Sequence, residues 1–110
     1  MNINDIRDAL RLSKPIEYSV HCQKRMLERG ILRKDIIECI EQGEIIENYP
    51  LSDGVKNDRS LPSCLVLGYR SRDHKAVHVV VGYNGDRVLI ISACYPDKEH
   101  WLDDNTTRRV

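Results

Sequence analysis

Two runs rich in β-branched residues, AVHVVVGY and RVLIISACY, flank the dipeptide Asn84-Gly85. That arrangement is the strongest local hairpin signal a chain can carry, because a type I′ turn needs two residues that tolerate positive φ. With Asn84 and Gly85 as the turn pair, Tyr83 is expected opposite Asp86 and His78 opposite Ile91. Side chains alternate along a strand, so the pairing sorts them by face. One face receives Val77, Val79, Val81, Val88 and Ile90 and is wholly apolar. The other receives Val80, Leu89 and Ile91 near the turn, but His74, His78 and Tyr95 at the far end. A face that changes from apolar to polar along its length has the character of a binding cleft.

Two more strands precede the hairpin, EIIENYP at 44–50 and SCLVLGYR at 63–70, joined by the polar loop LSDGVKNDRSL. Before them the period is helical. Ile3, Ile6 and Leu10 recur at helix spacing until Lys14-Pro15 ends the run. Ser19 offers an N-cap for a second helix that reaches Arg29, with Gly30 as its stop. Projecting residues 19–29 at about 100° per residue puts Val20, Cys22, Met26 and Leu27 on one side, with Gln23 among them. Lys24, Glu28, His21, Arg25 and Arg29 fall on the other. A third helix is expected over residues 33–42, with Ile36, Ile37 and Ile40 as its stripe and Gly43 closing it. Helices followed by a meander imply an α+β fold, with helices packed on one face of a four-stranded antiparallel sheet. A chain of 110 residues makes one domain. Its helical part runs over about 3–42, its sheet over about 44–95, and a tail over 96–110.

Composition narrows the possibilities further. Hydrophobic residues are 41% and charged residues 31% of the chain, so it can fold around a core. No Phe is present, and the core must be filled by branched aliphatics. No apolar run reaches the ~18 residues of a membrane span, and MNINDIRDALRL has no signal-peptide pattern, so a cytoplasmic location is expected. Cys22, Cys39, Cys64 and Cys94 are widely spaced, without a CxxC pair, and are expected as reduced structural thiols. Net charge is zero, but it is unevenly spread. Residues 1–34 hold eight Lys/Arg against four Asp/Glu, and residues 35–58 hold one against seven. A basic front end can form a local anion site even in a neutral protein.

The chemistry-bearing candidates are few. His21 and Arg25 lie four apart on the second helix and are neighbours on its surface, with Arg29 one turn further. A histidine titrates near neutral pH, and an arginine holds a phosphate with a two-pronged fork. The plain alternative is a solvated helix face on which Arg25 pairs with Glu28. His78 is the odd residue of a valine strand, where a satisfied core histidine is the ordinary reading. His74 and His78 are too far apart in a strand, about 13 Å, to share an ion, and no metal is expected. No glycine-rich phosphate loop is present, so no cofactor is indicated. Trp101 and the terminal Arg108 and Arg109 have the chemistry to hold a nucleic acid, whereas Trp101 has the bulk simply to dock the tail.

Together, YSVHCQKRMLERGI, GEIIENYP, PSCLVLGY, AVHVVVGY, ACYPD and the tail with Trp101 and TTRR resemble the prokaryotic domain-of-unknown-function family 4258. The resemblance covers about residues 16–109. The loop LSDGVKNDRSL is longer than the usual link, and Leu32 stands where a small hydroxyl residue is common. The family in turn looks like a relative of the RelE-like and MqsR-like RNA-cleaving toxins, with a RelE-like/BECR-type fold. Its members' usual companion is a small zinc-finger antitoxin of the YgiT/MqsA type. The resemblance implies an RNA substrate and metal-independent cleavage in which His78 and His21 share the proton transfers. Arg25 clamps the phosphate, Tyr95 donates a hydrogen bond or proton, and Arg29, Trp101, Arg108 and Arg109 bind substrate. A non-catalytic protein-binding module, or a degenerate toxin with the same fold, is the competing expectation. One geometric condition weighs on the catalytic reading. If the helices cover the apolar face, His21 and His78 fall on opposite sides unless the second helix reaches the sheet edge.

Overall fold

A computed structural model describes residues 2–49, 61–101 and 104–107. The expected loop over 51–61 therefore lies outside the described residues except for Leu61, as do Arg108 and Arg109. Helix α1 spans Ile3–Arg11, strand β1 Ile16–Tyr18, helix α2 Val20–Arg29 and helix α3 Arg33–Gln42. Strands β2 (Glu44–Tyr49), β3 (Ser63–Tyr69), β4 (Ala76–Tyr83) and β5 (Val88–Cys94) follow.

Local chemistry sets the helix ends. Ser19 Oγ accepts from Cys22 N at 3.0 Å, and Gly30 closes α2 with φ 66°, a conformation that strains any residue with a Cβ. Leu32 has no hydroxyl to cap α3. Asp35 supplies the reverse contact, its carboxylate accepting from Leu32 N at 2.9 Å. Arg7 ties α1 to the end of α3 by donating to the carbonyls of Ile40 and Gly43 at 2.9 and 2.8 Å.

The sheet order is β1-β5-β4-β3-β2. This corrects the expected four-stranded antiparallel sheet: the fold is α+β with three helices and a five-stranded mixed sheet. The added strand pairs parallel with β5, Ile16 opposite Val88 and Tyr18 opposite Ile90. Pro15 has no amide to give, but its carbonyl accepts from Val88 N at 2.9 Å and starts the pairing. Three residues between two helices are too few for period-two alternation to register.

All three helices cover the first sheet face. Cys64, Val66, Val77, Val79, Val81, Val88, Ile90 and Ala93 project there, against Ile6, Ala9, Cys22, Met26, Ile36, Cys39 and Ile40. Each buried aliphatic side chain contributes roughly 1.5–3 kcal/mol relative to exposure, so this layer dominates the stability. Packing is closest where α3 crosses β3. A Cβ on Gly68 would stand 2.6 Å from the Cys39 backbone, so only glycine fits.

The hairpin differs from the expected one in two respects. Tyr83 pairs with Val88 instead of Asp86, because the Asn84 side chain accepts from the amides of Asp86 (2.9 Å) and Arg87 (3.1 Å) and closes a longer loop. That displacement is even, so the faces near the turn stay as expected. Farther on, Val81 pairs with Ile90 but Val80 with Ser92, which leaves Ile91 as an extra bulge residue. The bulge brings Ala93 to the core face, where strict alternation would have buried Ser92. It also flips everything beyond it. Cys94 pairs with His78 on the second face, and Tyr95 packs against the first-face core. The expected placement of Tyr95 beside His78 is thus overturned. His74 is not on a strand at all but sits in the β3–β4 turn with φ 57°.

Helix α2 buries only half of its expected apolar side. Cys22 and Met26 enter the core, whereas Val20 and Leu27 are 83% and 87% exposed. The apolar arc was wider than the strip one sheet can cover. Among the described residues, no helix is long and apolar enough to cross a membrane.

Candidate functional site

On the second face, at the end of the sheet away from the hairpin turn, His78 stands between Leu67 and Cys94 with Leu65 further along, so the expected polar end reduces to one imidazole in an apolar row. His78 is 1% exposed. Its Nε2 lies 2.8 Å from the Asn105 carbonyl oxygen, which can only accept, so the proton of a neutral ring sits on Nε2. Trp101 meets the imidazole edge-on, with ring centroids 4.6 Å apart and planes at 80°. Trp101 is itself buried, and its amide donates to Asp97 at 3.0 Å. The segment is further shaped by Asp104, which accepts from the Thr107 hydroxyl at 2.7 Å and from the Thr106 and Thr107 amides, each at 3.0 Å; the hydroxyl first and then the amides hold its carboxyl down to about 2. Trp101 therefore takes the tail-docking role here, with its ring against His78.

Behind the same end of the sheet, on the first face, lies a polar cluster that the sequence did not signal. Arg70 is buried and donates to both carboxylate oxygens of Asp73, at 2.7 and 2.8 Å, and to the Tyr95 hydroxyl at 3.0 Å. Tyr95 in turn donates to the Arg29 carbonyl at 2.6 Å. Asp35 is also buried, accepts from Arg72 at 3.0 Å and lies 3.7 Å from Arg70. The Arg70 guanidinium beside Asp73 drives that carboxyl down to about 2. Arg72 also donates to Gly30 O at 3.0 Å. The cluster thus fastens the end of α2, the start of α3 and the β3–β4 turn together. Tyr95 serves here as a fastener, with both its donor and acceptor engaged. In sequence, Arg70 closes the expected strand SCLVLGYR, and nothing local marks Asp35 or Asp73 as its partners. Only their long-range meeting distinguishes them.

Between these two centres runs the outer edge of β5 beyond its pairing with β1. Strand β1 ends at Tyr18, and α2 continues along the edge in its place. Ser19 donates from its amide to Ile90 O at 3.0 Å and from its hydroxyl to Ile91 O at 2.8 Å. At the other end of α2, Arg29 Nη1 donates to Ala93 O at 3.3 Å. The row His21, Arg25, Arg29 therefore follows a helix that borders the sheet edge. Burial raises the Cys94 thiol, and the Arg29 guanidinium opposes that rise, so its charge is felt beside the residue paired with His78.

The structure does not bring His21 to His78. His21 is exposed on α2, whereas His78 is sealed on the second face beneath Trp101. Arg25 makes the ordinary pair with Glu28 at 3.1 Å. Arg29 alone of the row reaches the end of the sheet where His78 stands. Burial raises the Cys39 and Cys64 thiols to about 12 and about 11, so both are neutral thiols and poor nucleophiles at physiological pH. Among the described residues, no cluster of His, Cys, Asp or Glu is arranged to hold a metal ion.

A family model described as a domain of unknown function, DUF4258, matches residues 18–95. That stretch contains α2, α3 and strands β2 to β5. No curated protein and no solved structure matches the chain.

Proposed function

The chain belongs to the DUF4258 family, and from that footing we propose that it is a metal-independent endoribonuclease of the toxin type, related to the RelE-like and MqsR-like enzymes. It works in the cytoplasm and is held in check by a small zinc-finger antitoxin of the YgiT/MqsA type. The observation that supports this reading is a buried histidine in an otherwise aliphatic strand, one strand away from a cationic helix row that borders the outer edge of β5.

In this reaction the RNA 2′-hydroxyl loses its proton and attacks the adjacent phosphorus. The bond from phosphorus to the 5′-oxygen breaks, and that oxygen takes a proton. The products are a 2′,3′-cyclic phosphate and a 5′-hydroxyl. His78 is the proton acceptor, and solvent protonates the leaving oxygen. Arg29 steadies the charge on the phosphorane, and Arg25 and His21 hold the neighbouring phosphates along the row. Substrate gains access to His78 by displacing Trp101 and Asn105.

A second reading is favoured by the burial of His78 and by the Arg25–Glu28 pair. In it the imidazole pins the tail, and the protein is a non-catalytic binding module or a degenerate toxin.

One assay separates the two. Chelator-treated protein incubated with single-stranded RNA is expected to yield 2′,3′-cyclic phosphate ends, and His78→Gln to abolish them while circular dichroism stays unchanged. Intact RNA in the presence of folded wild-type protein would sink the cleavage reading. A partner complex indifferent to His21 and His78 substitutions would then establish the binding module.

A further inference from the structure

The face of α2 turned away from His78 carries a feature that RNA chemistry does not use. Val20 and Leu27 lie on one stripe of the helix and are almost fully exposed, and Leu32 beyond the turn is 45% exposed. Between α2 and the start of α3 runs an open groove of about 360 Å³ with Met26, Ile31 and the open Gly30 turn in its wall. Scattered exposed leucines are unremarkable, but Leu27 and Leu32 both line this groove, and exposed apolar residues gathered at a groove are the usual mark of an interaction site.

Charge identifies the occupant. Residues 20–34 contain Lys24, Arg25, Arg29, Arg33 and Lys34 against the single acid Glu28, which Arg25 already neutralises. Lys24 projects between Val20 and Leu27 in the helix. Arg33 lines the groove, held with its guanidinium 4.9 Å from the centre of the Tyr18 ring. The helix pair around the groove is thus net cationic, and Arg33, the cation in the groove wall, is held in place before any partner arrives. Seven residues separate Val20 from Leu27, about 10 Å of helix rise. That span equals the spacing of anchors at i and i+7 on a docking helix.

We propose that the α2–α3 groove receives an amphipathic, acidic helix of a partner protein. Its apolar residues seat against Leu27, Met26 and Ile31, and its carboxylates face Arg33 in the groove wall and Lys24 on the adjoining turn of α2. The site is independent of RNA cleavage and stands whether or not the protein is a nuclease.

The probe is a synthetic helical peptide of about 18 residues, long enough to hold some helix alone. It carries Leu at i, i+4 and i+7 and Glu on the remaining face, and is titrated into the full chain by fluorescence anisotropy. A micromolar dissociation constant is expected. A tenfold or greater loss is expected for Leu27→Asp, which alters an exposed side chain and leaves the thermal midpoint unchanged. A peptide with Lys in place of Glu should fail to bind, and added salt should weaken the acidic one. Three results would overturn the proposal: no binding of the acidic peptide, equal binding of a scrambled peptide, or full binding by Leu27→Asp. Sedimentation showing a dimer that Leu27→Asp dissolves would assign the stripe to a second copy instead, and so would also overturn it.

Discussion

The two faces of the sheet are built by different means. The first is a continuous layer of valines and isoleucines locked against three helices, whose stability comes from area removed from water. The second is covered at His78 by a segment of turns and bends that meets the imidazole through the Trp101 ring and the Asn105 carbonyl. Burial alone does not distinguish them, since His78 is as inaccessible as Val79. What differs is what covers each residue: regular helices on one side, a locally held strap on the other. Segments of the second kind open at lower free energy than the core beneath them. A buried group under a strap is therefore available to chemistry in a way that a buried core group is not.

Substitutions on each side sharpen the contrast. Ile90→Ala removes a fully buried first-face side chain and is expected to lower unfolding stability by about 2–5 kcal/mol, measured in urea. Trp101→Ala removes a larger side chain from the second face. It is expected to cost only about 1 kcal/mol globally, because the strap detaches while the sheet persists. Amide exchange at residues 104–107 should accelerate strongly, and the His78 ring should become accessible to modifying reagents. Equal global losses for the two variants would break the comparison and make the strap part of the core.

The smallest effect concerns acid. Asp73 on the first-face side and Asp104 in the strap both ionise at about 2, below their ordinary 3.8. Depressed carboxyls contribute stability above the ordinary value, and that contribution disappears as pH falls toward about 2. Asp73→Asn should therefore flatten the urea midpoint between pH 4 and 2, whereas Asp104→Asn should flatten only the pH dependence of strap exchange. A shift of both readouts by either variant would show that the two faces are coupled.

The sequence made much of this molecule legible, and the rest was hidden for physical reasons. Ser19, Gly30 and Gly43 mark helix ends through short-range hydrogen bonds and φ requirements, and those ends fell where expected. AVHVVVGY was read at its observed bounds because its alternation is long. Strand β1 escaped because a three-residue parallel edge has no period. The position of Tyr95 was misjudged because a bulge costs little and leaves no local mark, while every residue after it changes side. The Asp35–Arg70–Asp73 cluster joins segments 35 residues apart, a meeting that only the fold creates. His78 was legible as an anomaly, but its Trp101 and Asn105 covers were not.

The extra residue at Ile91 has a consequence for how this chain tolerates change. It acts as a reading-frame correction written in space. Ironing the bulge out with Ile91 retained would exchange the sides of Ser92 through Tyr95, sending a hydroxyl and a thiol inward and withdrawing the phenol from Arg70 and Arg29. Deleting Ile91 would instead join Ile90 to Ser92 and leave each on the side it holds. Conservative replacements along β5 leave this phase intact. A one-residue contraction at the bulge would remove the kink and keep the phase.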